Sequence, residues 1–468
     1  MVFSGLTFLL YFLPITIGLY FLRPSIRWKN GVLLASSLVF YAWGRPVWLL
    51  GMLFSALANY ICALGMQNTR GRTRRVWLYL GVAASLALLF VFKYLAFFVN
   101  TLLGIVSAQT RMTPLELPIG ISFYTFQILT YTVDVYRGKQ KAQPDFARLL
   151  LYVSCFPQLI AGPIVRYGDV AKEIDQRRTT PDDFAQGMAR FALGLGKKAL
   201  VANVCAKIME QLPLAGAGSL SFAGAWYAAF IYTLQIYFDF SGYSDMAIGL
   251  GRIFGFHYRE NFDHPYIALS VRDFWRRWHI SLGAFFREYV YIPLGGNRKG
   301  LKRTILNTLI VWGLTGLWHG ASWTFILWGA YYGAILTLDL LGGKKLTQRL
   351  PDIVNRVFTF LLVMIGWVLF YYPTLGQAFR HLWAMLPFTG PFLDVAARDV
   401  IRSYSVLPLI FFALSLPLGK WFTALGRRLR LQPAFVNGLM AALMLVVCAL
   451  SVLFIEGLSS NPFIYFQF

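Results

Sequence analysis

The sequence predicts an all-α, polytopic integral membrane protein of roughly eleven transmembrane helices, with re-entrant and interfacial pieces between them. Three observations lead there. The 468-residue chain is 57% hydrophobic and 13% charged, against about 25% charged residues in soluble domains. Uncharged runs at residues 3–22, 76–92 and 222–238 approach the roughly 20 residues needed to cross a hydrocarbon core. Lys and Arg collect in the short gaps between such runs, as they do in cytoplasmic loops. Lipid offers backbone groups no hydrogen-bond partner, so these runs must be helices. The alternation and turn spacing of a membrane barrel are absent.

Taken in order, the run at 3–22 lacks a basic n-region and a small-residue cleavage site, so it reads as a mature span. Arg23, Arg27 and Lys29 follow it, then only Arg45, then Arg70, Arg72, Arg74 and Arg75. That alternation places the N-terminus on the outer side of the membrane. Basic residues return at Arg137, Lys139 and Lys141, and again at Arg166, Lys172, Arg177 and Arg178. Both flanks of 149–163 therefore read as cytoplasmic, and that short run is expected to form a re-entrant hairpin. Residues 252–303 hold ten Lys or Arg against four Asp or Glu, so they belong on the cytoplasmic side or in a wet funnel. Within an amphipathic segment at about 267–295, periodicity predicts an interfacial helix over 269–292. Its apolar arc is flanked by a polar stripe of Arg272, Arg276, His279 and Arg287. Further spans are expected over 304–338, 357–371, 405–418 and 435–454. With no linker or repeat in sight, residues 1–468 read as a single membrane domain.

The net charge of +23 does not imply a nucleic-acid partner, because the basic residues are scattered among apolar spans. Cys62, Cys155, Cys205 and Cys448 have no ligand or redox spacing and read as small apolar side chains. No metal set, hydrolase elbow, P-loop or dinucleotide fingerprint is present. Of His257, His264, His279, His319 and His381, only His319 lies in the middle of a membrane run. It stands about fifteen residues past the basic flank of 304–338, on the order of 20 Å along a helix. An ionisable group at that depth is costly and marks a functional site by default. A neutral histidine bridging helices is the bland alternative. Burial also favours the neutral ring, the form that accepts a proton from a hydroxyl. His279, beside Arg276, Arg277 and Trp278, fits an interfacial anchor equally well. Alternatively, it joins Arg272 and Arg276 in facing the phosphates of an acyl carrier. Asp239 and Asp245 are either interfacial residues or partners that hold the arginine stripe.

Taken together, the motifs resemble the membrane-bound O-acyltransferases, in particular their bacterial alginate and peptidoglycan O-acetyltransferase branch. The likeness rests on the runs at 37–43, 92–94, 118–124 and 160–163, on Tyr237-Phe238-Asp239-Phe240-Ser241-Gly242-Tyr243-Ser244-Asp245, and on Arg276-Arg277-Trp278-His279-Ile280-Ser281-Leu282. It continues through Leu294-Gly295-Gly296-Asn297-Arg298, Leu317-Trp318-His319-Gly320 and the closing 461–466. These stand in the family's order along nearly the whole chain. The resemblance implies that His319 is the catalytic histidine and His279 the second signature histidine. The expected substrate-binding residues are Arg272, Arg276, Arg277, Trp278, Asp239, Ser241, Tyr243, Asp245, Asn297 and Trp318, with no metal and no covalent cofactor. It implies an acyl donor, acetyl-CoA, entering from the cytoplasm, with His319 acting as base or acyl relay. It further implies an extracytoplasmic, esterase-like partner that completes O-acetylation of a polysaccharide. Transfer of D-alanine to teichoic acid is the nearest rival. A transporter is a second class, but the inverted repeat it predicts is not found. A non-catalytic scaffold of a glycan-export complex is a third.

Overall fold

A computed structural model describes residues 1–106, 110–160, 162–214, 220–343, 349–419, 421, 428, 432–457 and 463–464. Among them every regular element is helical, as the need to satisfy backbone groups inside lipid demands. Among the described residues, five helices are long and apolar enough to cross a bilayer: Trp48–Asn68, Gly71–Ile105, Trp323–Gly343, Asp352–Tyr371 and Gly438–Glu456. The sequence led us to expect more, and part of the difference is that some expected spans are broken. The run at 405–418, for example, yields the eight-residue helix Leu407–Leu414.

Although the sequence offers no linker, the chain divides into two compact units. One comprises Met1–Phe191 with Tyr243–Glu260, the other Ala192–Gly242 with Asn261–Phe468. In the first unit, Phe3, Phe8, Phe40 and Phe156 pack as a buried aromatic cluster. Polar bridges tie its helices together. Buried Asn59 donates to Ser85 Oγ at 2.8 Å and accepts from Thr132 Oγ1 at 2.6 Å. Inside lipid, where no hydrophobic force drives helices together, such bridges supply specificity. Arg177 donates to the carbonyl of Phe254 at 2.9 Å and to Asn30 Oδ1 at 2.6 Å. The expected re-entrant run at 149–163 breaks at Cys155 (ψ 108°) into Phe146–Ser154 and Phe156–Leu159, each far too short to cross. Its Ala161 lies outside the described residues.

In the second unit, two sequence expectations are corrected. The stretch 304–338 is not one span but two antiparallel helices, Gly300–His319 and Trp323–Leu338. Gly320 is extended, and Ser322 caps the second helix by accepting from the N–H of Phe325. Their backbones meet at glycines: a Cβ on Gly316 would lie 2.4 Å from Phe325 O, and one on Gly329 would lie 2.4 Å from Trp312 O. The amphipathic stretch 269–292 is also not one helix. It forms Val271–Arg277 and Ile280–Phe286, followed by a π-turn over Arg287–Tyr291. The break is tertiary in origin. The N–H of Asp263 takes the carbonyl of Arg277, and Asn261 takes the N–H groups of Ile280 and Ser281. His381, also in this unit, is structural. It donates from Nε2 to the carbonyl of Ala225 at 3.0 Å, so Nδ1 is left to accept from Tyr372 Oη at 2.8 Å.

Candidate active site

His319 is the last residue of the Gly300–His319 helix, and its hairpin turn places the imidazole in an aromatic enclosure. Trp318, Trp328 and Phe370 stand edge-on to it at 4.9, 4.9 and 5.0 Å between ring centroids, and Phe325 lies at 6.3 Å. The residue is 4% exposed. Phe325 and Trp328 come from the second arm of the hairpin and Phe370 from the Asp352–Tyr371 helix. The hairpin turn, rather than depth along one continuous helix, thus sets this ring's surroundings. Walls of this kind fix the ring by edge-on packing and leave its two nitrogens as the polar atoms of an otherwise apolar enclosure.

His279 stands between two seven-residue helices with a left-handed backbone, φ 47° and ψ 54°. That conformation is uncommon for a residue with a Cβ, and it clusters where tertiary contacts over-determine the chain. The side chain is 2% exposed. Phe240 packs edge-on at 4.7 Å and Trp318 lies at 5.8 Å. Trp318, adjacent to His319, therefore bridges the two histidines in one aromatic group. Trp278 belongs to that group too, stacking on Phe274 at 5.5 Å and meeting Trp367 at 4.8 Å. His279 Nδ1 faces Asn261 Oδ1 at 3.2 Å, while Nε2 is buried with no hydrogen-bond partner among the described residues. Burial pushes the His279 pKa down to about 3, so this ring is neutral at physiological pH.

The remaining candidates separate. Arg272, Arg276 and His279 do not form one stripe, because the helix that would align them is interrupted. Arg276 is exposed and His279 buried. Arg272 is committed to Asp339 at 2.8 Å, and Arg277 to Asp273 at 3.1 Å and Asp263 at 3.3 Å. The carboxylates that hold these arginines are therefore not the two expected. Asp239 instead pairs with Lys198 at 2.6 Å, with both side chains buried, and its Oδ2 accepts from the N–H of Ile464 at 2.8 Å. Ser241 Oγ is buried without a hydrogen-bond partner among the described residues. Asn297 is exposed, in a turn whose Gly295 and Gly296 have φ of 107° and 57°. Arg303 and Asn307 hold that turn by donating to the carbonyls of Leu294 and Gly296. Tyr243 and Asp245 belong to the first unit. There Tyr243 stacks on Phe3 at 4.6 Å, and Asp245 pairs with Arg190 at 2.7 Å. Sequence reasoning missed Asn261 and Lys198. Asn261 carries no spacing signal, but two lysines inside the apolar run at 191–202 could have flagged Lys198.

A family model described as MBOAT, membrane-bound O-acyltransferase family, matches residues 137–374. A protein named probable alginate O-acetylase from Pseudomonas putida is 39% identical over 493 residues, covering all of both chains. One of the same name from Pseudomonas aeruginosa is 43% identical over 399 residues, 83% of this chain and 75% of its own. A peptidoglycan O-acetyltransferase from Helicobacter pylori is 35% identical over 426 residues, 83% of this chain and 80% of its own.

Proposed function

The chain belongs to the membrane-bound O-acyltransferase family, and from that membership we propose that it transfers acetyl from cytoplasmic acetyl-CoA for O-acetylation of an extracytoplasmic polysaccharide. That it is a multi-pass membrane O-acyltransferase follows from the family. The polymer is alginate-like or peptidoglycan, the two acceptors in the names of its relatives. The protein resides in the bacterial cytoplasmic membrane with its N-terminus outside, and an esterase-like partner there completes the transfer.

The observation that supports this reading is the aromatic enclosure of a 4%-exposed His319 at a helix turn. In the proposed step the neutral imidazole takes the proton of an acceptor hydroxyl as its oxygen attacks the thioester carbonyl. The C–S bond then breaks, and the departing CoA thiolate takes that proton back from the imidazolium. A positioned base of this kind contributes about 10²–10⁴-fold.

Proteoliposomes of the full chain with acetyl-labelled acetyl-CoA test the assignment. Wild type consumes thioester, and His319→Ala and His319→Gln each lower the rate at least about 10²-fold while the melting transition stays in place. Unchanged turnover in His319→Gln removes the assignment. If both variants lose their fold, the ring has a packing role instead.

A further inference from the structure

Three contacts converge on one oxygen beside His279. Asn261 Oδ1 receives the backbone N–H of Ser281 at 3.2 Å, Ser281 Oγ–H at 2.9 Å and His279 Nδ1 at 3.2 Å. The Ser281 N–H can only donate, so the amide atom it meets must be the oxygen. That settles the orientation of the Asn261 side chain, which density or geometry alone often leaves open. An oxygen facing Nδ1 in turn requires that Nδ1 carry the hydrogen. Ser281 Oγ also lies 3.5 Å from Nδ1, but its hydrogen serves the shorter contact to Asn261. Asn261 itself is fully buried, and its own carbonyl accepts from the N–H of Ile280 at 3.0 Å. The residue therefore grips the backbone on the far side of His279 as well as the ring. The neutral ring then has one lone pair left, at buried Nε2.

We infer that Asn261 is a positioning residue that fixes His279 as its Nδ1–H tautomer, so that Nε2 is presented to the substrate as a hydrogen-bond acceptor. His279 cannot then donate to the thioester carbonyl; it receives a proton donor, either the acceptor hydroxyl or an amide N–H of the acyl carrier. The catalytic consequence rests on the acyltransferase reading above, whereas the tautomer stands apart from it. Among the described residues, the groups seen packed on the ring are Phe240, Trp318, Asn261 and Ser281, none of them charged. Arg277, two residues away, is held by Asp273 and Asp263.

Ring-¹⁵N-histidine NMR of the full chain in nanodiscs, assigned by difference with His279→Gln, reads the tautomer directly. The expected signal is Nδ1 protonated and Nε2 unprotonated at neutral pH in wild type, with a mixture in Asn261→Ala. A protonated Nε2 in wild type overturns the inference whatever the activity. The second arm is Asn261→Asp, which still accepts from Nδ1–H but adds a carboxylate that stabilises the imidazolium. It raises the His279 pKa, so the acid limb of the rate profile moves to higher pH; an unmoved profile counts against the inference. In Asn261→Ala, a fall in kcat of roughly 10²-fold at constant KM identifies the acceptor hydroxyl as the Nε2 donor, and a raised KM for acetyl-CoA identifies the carrier. No change in either overturns the inference. If wild type transfers no acetyl, the acyltransferase proposal fails and the NMR arm still decides the tautomer.

Discussion

A lysine and an aspartate whose side chains are 4% and 2% exposed, 2.6 Å apart, stabilise each other only as a pair. Removing one charge leaves the other desolvated and uncompensated, which costs about 3–5 kcal/mol, whereas replacing both with apolar groups of similar size costs much less. Lys198→Met and Asp239→Leu should therefore each lower the denaturation midpoint in detergent sharply, and the double variant should recover most of the loss. Additive losses would mean that the pair is not coupled. Asp239 also receives the N–H of Ile464, and Phe463 lies 6.3 Å from Phe240, the ring edge-on to His279. Residues 463–464 of the closing motif thus support the helix that walls the candidate site; 461, 462, 465 and 466 lie outside the described residues. At this scale the sequence was legible for the buried histidines it singled out and illegible for the residues that hold them. A histidine in an apolar run stands out on cost alone. Asn261 is an ordinary polar residue in a loop, and its role exists only once the chain has folded back onto residues 277–281.

Where two helices cross through glycine, the cost of a methyl group can be read from backbone geometry. A Cβ at Gly329 would lie 2.4 Å from Trp312 O, while one at Gly313, on the opposite arm of the hairpin, meets nothing within 4 Å. Gly329→Ala should destabilise by about 1–3 kcal/mol through overpacking, and Gly313→Ala should hold or gain stability, since alanine favours a helix by about 1 kcal/mol over glycine. Thermal inactivation of the two variants side by side checks this; equal behaviour would mean the hairpin is not closely packed. The hairpin was partly readable, since Gly320-Ala321-Ser322 ahead of an apolar run is a capping signal. The absence of charge across 304–338 masked it. The interruption at Trp278–His279 had no such local sign. The apolar period continues through it, while bonds to Asn261 and Asp263 take the backbone groups at the break. Periodicity reports which face is buried and is silent about competition from a distant segment for the same N–H groups.

For the whole molecule, the charge alternation of the loops makes a prediction about sidedness. Gly44→Cys, in the exposed turn beside Arg45, should react with an impermeant maleimide in intact spheroplasts, and Arg72→Cys only after lysis. The reverse pattern would refute the orientation. Of the native cysteines, Cys62, Cys155 and Cys205 are buried and Cys448 partly so, which keeps the background low. The two compact units are interleaved along the chain, and the helix Phe222–Ile253 contributes residues to both. It follows that any single crossover between genes of this type cuts at least one unit in two. Acceptor preference in such a lineage is therefore free to drift by point substitution or to arrive with a whole gene, and block exchange of half a protein is a poor route to it.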